Sequence, residues 1–266
     1  MKKGIVRPGL LGALLVIVLS FITFPAAAED RPGVSAGTAF LSKYVWRGFE
    51  LSNDSLVVQP SIAVSYKGFS LGLWGNLDTS YDDKDPATDN TSNWTETDLT
   101  LGYEKSFGSV TVGAGYIYYG LDGAFDSQEI YLSASLSIPL SPKLTVYREV
   151  SHLPSWYISL GLGHSFELPK GMTLSVAGSV GYYISDDDDF VEVDDNLNPT
   201  TEKYRAFHDG LVSVSLSVPL AQYFTVTPMI AYSFPLSDKA DNLLTSTSIS
   251  HDSSFLYGGV TLSMAF

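Results

Sequence analysis

Residues 130–138 read IYLSASLSI, with an apolar side chain at every second position and tyrosine or serine between them. Successive side chains of a strand point to opposite faces, so this pattern predicts a strand with one apolar face and one face of small or polar residues. The same two-residue period recurs in residues 99–103 and 174–182, and no segment after residue 28 shows a sustained helical period. The chain is therefore predicted to be all-β.

Counting the alternating segments gives about twelve strands, each near the length of 9–11 residues that a tilted strand needs to cross a membrane. The predicted spans are 34–46, 56–67, 69–79, 95–106, 109–119, 128–139, 143–150, 156–167, 172–184, 207–218, 222–234 and 255–266. Short turns with Gly or Pro follow every second strand, and most of the other connections are longer and polar. This arrangement predicts an up-and-down antiparallel transmembrane β-barrel with its long loops outside the cell.

A soluble β-sandwich, which also alternates, is the main alternative architecture. Its apolar faces would meet in one core, whereas lipid outside and small residues inside a barrel explain both faces of these strands. Aromatic residues lie near both ends of the predicted strands, with all four Trp toward the long loops, as expected for two membrane interfaces. Pro60 and Pro228 fit a closed barrel only if they lie at bulges.

The first 28 residues have the order of a cleaved secretory signal peptide. Lys2 and Lys3 precede an apolar run from Leu10 to Phe24, and Ala26–Ala28 follow it. A permanent anchor is disfavoured because the run is shorter than the roughly 20 residues of a spanning helix. We expect residues 29–266 to be exported through the periplasm and to form the barrel in the cell outer membrane.

Charge and cysteine content restrict the partners of the chain. Without residues 1–28 the 15 basic and 29 acidic residues become 12 and 29, a net charge of −17. The basic surface that nucleic acid requires is therefore missing. Cysteine is absent, so no disulfide stabilises the exported chain, and a closed hydrogen-bonded sheet is one alternative source of stability.

The chain ends in residues 259–266, GVTLSMAF, where apolar residues again alternate up to the final Phe266. This ending resembles the terminal strand of bacterial outer-membrane proteins, whose last aromatic residue is read by the assembly machinery. The resemblance implies that machinery as a partner, besides outer-membrane lipid and lipopolysaccharide.

Charged residues on the strands are expected to face the lumen, because Lys or Arg facing lipid at mid-membrane costs about 2–4 kcal/mol. The predicted pore-lining residues are Lys43 and Arg47 on the first strand and, on later strands, Trp74, Asn76, Asp78, Glu96, Asp98, Glu104, Glu129 and Glu149. Either the two cations pair with carboxylates and fill the interior, or an acidic water-filled path favours cations. Barrels smaller than the 16–18-stranded porins leave little free lumen, which favours the first interpretation.

Catalysis and metal binding find little support. A Ser nucleophile needs a His within hydrogen-bond reach and a third group that orients the His. His251 and Ser253 have a suitable spacing but lie in a predicted loop, and residues 261–265 offer no orienting Asn or Glu. The acidic run 186–195 lacks the glycine and spacing of an EF-hand, so we expect a solvated loop rather than a calcium site. We expect neither an enzyme nor a cofactor.

Residues 37–48, GTAFLSKYVWRG, resemble the opening of the TorF-type, or Gcw_chp, family of bacterial outer-membrane proteins regarded as porins. In that family a strand ending in aromatic-x-aromatic-Arg-Gly precedes a strand with Ser and Gln, here residues 56–66, and residues 73–76, LWGN, follow. The resemblance is clear across residues 37–78. It implies a porin that passes small solutes; the alternative is a non-conducting structural or surface-interaction barrel whose acidic loops bind partners or divalent cations.

Overall fold

The structure, a computed structural model, describes residues 31–81 and 91–266. The predicted signal peptide, residues 1–28, lies outside the described residues, so its cleavage stays a prediction. The strands are β1 (Gly33–Leu41), β2 (Val45–Trp46), β3 (Phe49–Glu50), β4 (Val57–Tyr66), β5 (Phe69–Tyr81), β6 (Thr91–Phe107), β7 (Val110–Leu121), β8 (Ser127–Leu136), β9 (Lys143–Glu149), β10 (Ser155–Glu167), β11 (Thr173–Ser185), β12 (Val191–Val193), β13 (Pro199–Lys203), β14 (Arg205–Pro219), β15 (Phe224–Pro235) and β16 (Phe255–Ala265). A 3-10 turn, Pro169–Gly171, precedes β11, and one α-helix, α1 (Asp238–Thr247), lies between β15 and β16.

Twelve of these strands form one closed antiparallel barrel, in the order β1, β4, β5, β6, β7, β8, β9, β10, β11, β14, β15, β16 and back to β1. Closure is made by β1 and β16, which pair from Ser35 opposite Ala265 to Leu41 opposite Gly259. The other four strands form two small hairpins, β2–β3 and β12–β13. The predicted up-and-down barrel of twelve strands is confirmed.

The outside of the barrel is an apolar surface. Leucines such as Leu132 and Leu256 on its outer face are 66% and 67% exposed, and valine, isoleucine and phenylalanine side chains accompany them around the barrel. A closed barrel leaves no sheet edge unpaired, and an apolar belt of this extent needs lipid around it. The protein is thus an outer-membrane β-barrel in a lipid environment. No helix within residues 31–81 and 91–266 is long and apolar enough to cross a membrane.

Aromatic side chains mark both ends of this belt, with one correction to the predicted set. Trp94 and Trp156 face outward near the long loops. Phe69 and Phe266 are exposed at the opposite end of the barrel, which carries the short turns, the start of β1 and the end of β16. Trp46, at 1% exposure, and the half-buried Trp74, which lies opposite Asp98 and against Tyr44, are instead inside the barrel, so the prediction that all four Trp belong to the rim is wrong.

Three details of the chain path differ from prediction. The first strand ends at Leu41 and not at residue 46. Pro60 and Pro228 lie opposite Thr38 and Val260 in unshifted register, so neither needs the bulge that was predicted for it. Helix α1 lies where a loop was predicted. The sequence did not reveal it, because its apolar positions span fewer than three turns and give no sustained helical period.

Register shifts do occur elsewhere, and two of them affect the barrel interior. On β6, Asn76 of β5 faces Glu96 while Leu77 faces Trp94, so Thr95 is an extra residue. On β14 the register with β11 shifts between Val180 and Tyr182. A bulge turns one side chain away from strict alternation. The second bulge lets His208 and Asp209, although adjacent, both be buried within the barrel.

Candidate functional site

Residues 42–56 fold into the barrel, and we call them the inward segment. Its two ends meet, because Leu41 and Val57, which flank it, are paired neighbours on β1 and β4. Inside the segment, β2 and β3 form a hairpin in which Trp46 faces Phe49 across the turn Arg47–Gly48. Both turn residues have positive φ, 42° and 83°, as a two-residue turn of the I′ type requires.

Gly48 is needed at this turn for a second reason. A Cβ atom there would lie 3.0 Å from a side-chain carbon of Leu244 on α1 and 3.1 Å from Cβ of Asp209 on β14. The tip of the hairpin is therefore held tightly between the barrel wall and the helix. Phe49 adds a ring contact with His208, with the ring centres 5.0 Å apart.

Arg47 anchors the hairpin tip to the far wall of the barrel. Its Nη1 and Nη2 donate to the two carboxylate oxygens of Glu129 on β8, both at 3.0 Å, and Nη1 also donates to the hydroxyl of Tyr183 at 3.2 Å. The guanidinium carbon lies 4.0 Å from the ring centre of Tyr157 and 4.5 Å from that of Tyr147. A bidentate, desolvated and ring-stacked arginine of this kind is among the stronger side-chain anchors.

A second ion pair fixes the base of the hairpin. The ammonium group of Lys43 contacts Glu50 and lies 2.7 Å from a carboxylate oxygen of Asp54, both within the inward segment. Glu50 also accepts hydrogen bonds from the backbone N–H and the hydroxyl of Ser250, at 2.7 and 2.8 Å. The inward segment is thus tied to the loop that follows α1.

Helix α1 and the β12–β13 hairpin cover the long-loop end above the inward segment. Leu243 and Leu244 of α1 are 2% and 0% exposed. Phe190, just before β12, stacks on Tyr204 with the ring centres 5.2 Å apart, and the Tyr204 hydroxyl lies 2.7 Å from Nδ1 of His208. Together these three elements fill and cover the long-loop half of the barrel.

The acidic run 186–195 has local partners in this cover. Asp188 lies 2.8 Å from the ammonium group of Lys203, and that hydrogen bond lowers the pKa of Asp188. Asp194 accepts the backbone N–H groups of Asn196 and Asn198, both at 2.9 Å, and these bonds lower the pKa of Asp194. The described contacts are those of a structured surface loop; whether it also binds cations stays untested.

Acidic side chains outnumber basic ones in the interior. Among the described residues, seven carboxylates are buried against two ammonium or guanidinium groups, those of Lys43 and Arg47. The seven are Glu50, Asp78, Glu96, Asp98, Glu129, Glu149 and Asp209. Buried charges without partners are costly, so hydrogen bonds to each carboxylate have to be accounted for.

Most of these carboxylates are satisfied by neutral donors. Glu149 accepts the backbone N–H groups of Ser151, His152 and Leu153 at 2.9–3.1 Å. Tyrosine and backbone donors serve the next three. Tyr157 donates to Asp209 at 3.0 Å, Tyr44 to Glu96 at 2.9 Å, and the N–H of Ser80 to Asp78 at 3.0 Å. Asp98 differs, since neither of its oxygens has a hydrogen-bond partner among the described residues.

The short-turn half of the interior is different in character. Its inward positions carry small side chains, among them Ser61, Ser70, Thr100, Gly113, Ser133, Ser175, Ser213 and Ser263. Glu104 is exposed there, and its carboxylate lies 3.9 Å from the ammonium group of Lys143. Small hydroxyl-bearing residues leave space that water can fill, so the polar lining continues below the inward segment.

The predicted pore-lining residues fall into these two halves. Lys43, Arg47, Asn76, Asp78, Glu96, Asp98, Glu129 and Glu149 are buried, Trp74 is half-buried against Tyr44, and Glu104 is exposed. Lys43 and Arg47 lie on the inward segment, so their assignment to the first strand is wrong. Whether any of these side chains lines an open pore stays a prediction.

Several residues of the site were not predicted. Tyr119 and Tyr183 contact Glu129 and Arg47 and belong to the alternating pattern, so strict counting along β7 and β11 could have found them. Glu50 and the paired orientation of His208 and Asp209 depend on a hairpin and a bulge, for which the sequence carries no comparable signal. Of the residues considered for catalysis, Ser253 donates to Asp241 and His251 is exposed. That the chain is no enzyme stays a prediction.

A closed twelve-stranded barrel with an apolar belt and a polar interior defines a channel-like barrel protein of the bacterial outer membrane. The chain belongs to the Gcw_chp family, described as a bacterial protein of unknown function, whose model matches residues 26–183. The resemblance seen in residues 37–78 is thereby confirmed. Among curated proteins there is no significant match to this chain.

Solved structures of outer-membrane barrels resemble the fold. The NanC porin has a TM-score of 0.47 and 11% sequence identity, with 89% of this chain and 99% of that chain covered. An outer membrane channel from Pseudomonas putida F1 has a TM-score of 0.48 and 11% identity, covering 88% of this chain and 94% of the other. OmpT of Vibrio cholerae has a TM-score of 0.39 and 8% identity, with 88% and 96% covered.

Proposed function

We propose that the protein is a channel for the passive passage of small solutes or ions, with cation preference when open, and that the inward segment is its barrier. The observation that carries this proposal is the excess of buried carboxylates, seven against two basic groups among the described residues. An acidic lining attracts cations and repels anions at close range. The small hydroxyl-bearing residues of the short-turn half extend a polar path toward the periplasm.

The inward segment is suited to act as a barrier that moves. It contributes no strand to the closed barrel, and its own ladder consists of the two residue pairs between β2 and β3. Backbone bonds join only its two ends to the wall, Ser42 to Gly258 on β16 and Leu56 to Thr79 on β5, and the rest is attached by side chains, above all by Arg47 to Glu129. Because Leu41 and Val57 are already paired, the part between these two ends can leave the lumen without breaking a backbone hydrogen bond of the barrel.

Planar-bilayer conductance of the refolded chain tests the proposal, with a salt gradient to measure selectivity. We expect conductance steps, a reversal potential that indicates cation preference, and a smaller preference in Asp98→Asn and Glu104→Gln. Asp187→Asn, in the exposed acidic run, is the matched control and should leave the reversal potential unchanged. A further variant replaces residues 44–54 by a short Gly–Ser linker and should conduct continuously.

The second candidate function is a non-conducting structural or surface-interaction barrel. It requires that the inward segment stays in the lumen permanently. The fully buried bond between Arg47 and Glu129 is the specific observation behind it. The linker variant separates the two functions. If wild type inserts but stays electrically silent while the linker variant conducts, the barrier is permanent. Silence of both proteins in bilayers would contradict the channel altogether.

Two partners of the barrel belong with this proposal. Lipopolysaccharide would contact the outward face near the long loops, where Trp94 and Trp156 are exposed. Phe266 is 65% exposed at the end of the barrel seam, and its backbone bonds to Val34 on β1. Its accessibility supports a role as the residue read by the assembly machinery.

A further inference from the structure

Asp98 is the buried carboxylate that the surrounding chain leaves uncompensated. It is 0% exposed, and both of its oxygens lack a hydrogen-bond partner among the described residues. Glu96, two positions earlier on the same face of β6, has one unpartnered oxygen as well, its other oxygen accepting from Tyr44. Two neighbouring acidic groups therefore share a place where donors are missing.

Among the described residues, neither of the two buried basic side chains is free to neutralise this pair. Of the two buried cations, Arg47 is bound to Glu129, and Lys43 is bound to Glu50 and Asp54. Other buried carboxylates are stabilised by hydrogen-bond donors of the chain. Glu149, for example, accepts three backbone N–H groups. A cation from outside the chain would supply the charge that balances Asp98 and Glu96.

The neighbouring strand adds a neutral oxygen ligand. Asn76 on β5 lies opposite Glu96, and its amide oxygen accepts one bond, from Gln59, at 3.0 Å. Two carboxylates with an amide oxygen form an oxygen-only set, which suits hard cations such as Ca²⁺ and Mg²⁺ rather than soft metals. A divalent ion carries the two charges needed. No cluster of three or more His, Cys, Asp or Glu suited to a metal exists in the described residues.

We propose that Asp98 and Glu96 bind one hard divalent cation in the lumen, with Asn76 as a neutral ligand. With two charged ligands the affinity belongs at the weak end for calcium sites, because affinity rises with the number of charged ligands. Tyr44 of the inward segment donates to Glu96, so the ion lies directly against that segment and its binding stabilises the seated position. This proposal concerns binding and holds whether or not the barrel conducts.

Terbium luminescence gives a direct test, since Tb³⁺ replaces Ca²⁺ at oxygen sites and is excited by a nearby indole. Trp74 on β5 lies opposite Asp98, so an ion bound there has a sensitiser beside it. We expect the chain refolded with Tb³⁺ to emit on tryptophan excitation and to lose the emission when excess Ca²⁺ is added. Asp98→Asn and Glu96→Gln should each abolish most of the signal.

Asp187→Asn is the matched control, because it removes one carboxylate from the exposed acidic run and should leave the emission unchanged. Folding of each variant is verified by its migration in gels before and after heating. Equal emission from wild type and Asp98→Asn would overturn the proposal. A second result would also overturn it: wild type shows no emission and its Tm does not rise with Ca²⁺, whereas Asp98→Asn has a higher Tm than wild type. In that case Asp98 and Glu96 share a proton and do not bind a metal.

Discussion

Replacing Arg47 by alanine removes the anchor of the inward segment and leaves the barrel wall untouched. In the wild type the guanidinium makes two bonds of 3.0 Å to Glu129 and stacks near the rings of Tyr157 and Tyr147. After the substitution Glu129 keeps the hydroxyl of Tyr119, at 2.8 Å, and loses its counter-charge. The seated position then contains a buried, unpaired carboxylate.

The size of the effect follows from that unpaired charge. Removing one partner of a buried ion pair typically costs about 3–5 kcal/mol. When the segment leaves, Glu129 becomes hydrated, so this cost falls on the seated state alone. Since about 1.4 kcal/mol is a factor of ten, the equilibrium between seated and released positions should shift by roughly 100- to 4,000-fold. A segment that is released rarely in the wild type would be released for a measurable fraction of the time.

Open probability in planar bilayers measures this shift, and limited proteolysis within residues 42–56 measures it without conduction. Arg148→Ala is the control, because Arg148 also pairs with a carboxylate, that of Asp186, but at the surface, where such a pair contributes about 0–1 kcal/mol. The double variant Arg47→Ala, Glu129→Gln removes the unpaired charge and should recover part of the seated population. If Arg47→Ala matches Arg148→Ala in open probability and in proteolysis, Arg47 is no anchor and the reasoning is refuted.

Three further substitutions test the fold, the hairpin and the cover. Leu132→Arg places a charge on the lipid face and should lower the free energy of unfolding by about 2–4 kcal/mol in urea titrations, whereas Ser133→Arg, pointing inward, should lower it less. Gly48→Val puts a branched side chain at φ 83° against α1 and should increase protease cleavage of the inward segment while the barrel keeps its gel migration. Asp188, whose pKa is lowered by Lys203, contributes stability above the pKa of an unfolded aspartate, about 3.9, and loses it as the pH falls through the lower folded value. Acidification should therefore lower the protection factors of the β12–β13 amides in wild type, and Asp188→Asn should show the low protection factors already at neutral pH.

The strands were predictable because one physical demand governs all of them. Each strand has lipid on one side and polar residues on the other, and this demand produces the two-residue period seen in residues 130–138 and 174–182. Gly and Pro at the short turns, such as Lys67–Gly68, set the ends of the strands. The short turns also identify neighbouring strands, and pairing of the first and last strands then closes the barrel.

The inward segment could not be predicted by the same rule. Residues 41–47 continue the alternation of β1, and a period alone does not show whether a partner strand extends beside them. The neighbouring strands stop pairing with β1 at Leu41, which is the last residue of β1 with a partner on each side, Gly259 and Val57.

The charges of the interior were predictable in kind but not in arrangement. Burial cost places Asp98, Glu96 and Glu129 inside the barrel whatever the chain does elsewhere. Which carboxylate meets Arg47 depends on how far the hairpin reaches, and that distance is set by contacts with His208 and Leu244 from distant parts of the chain. A hairpin that stopped short would leave Glu129 without a counter-charge; because it reaches Glu129, the unbalanced pair is Asp98 and Glu96. The position of the inward segment thus determines both where the proposed barrier lies and where the proposed cation site is left without a counter-charge.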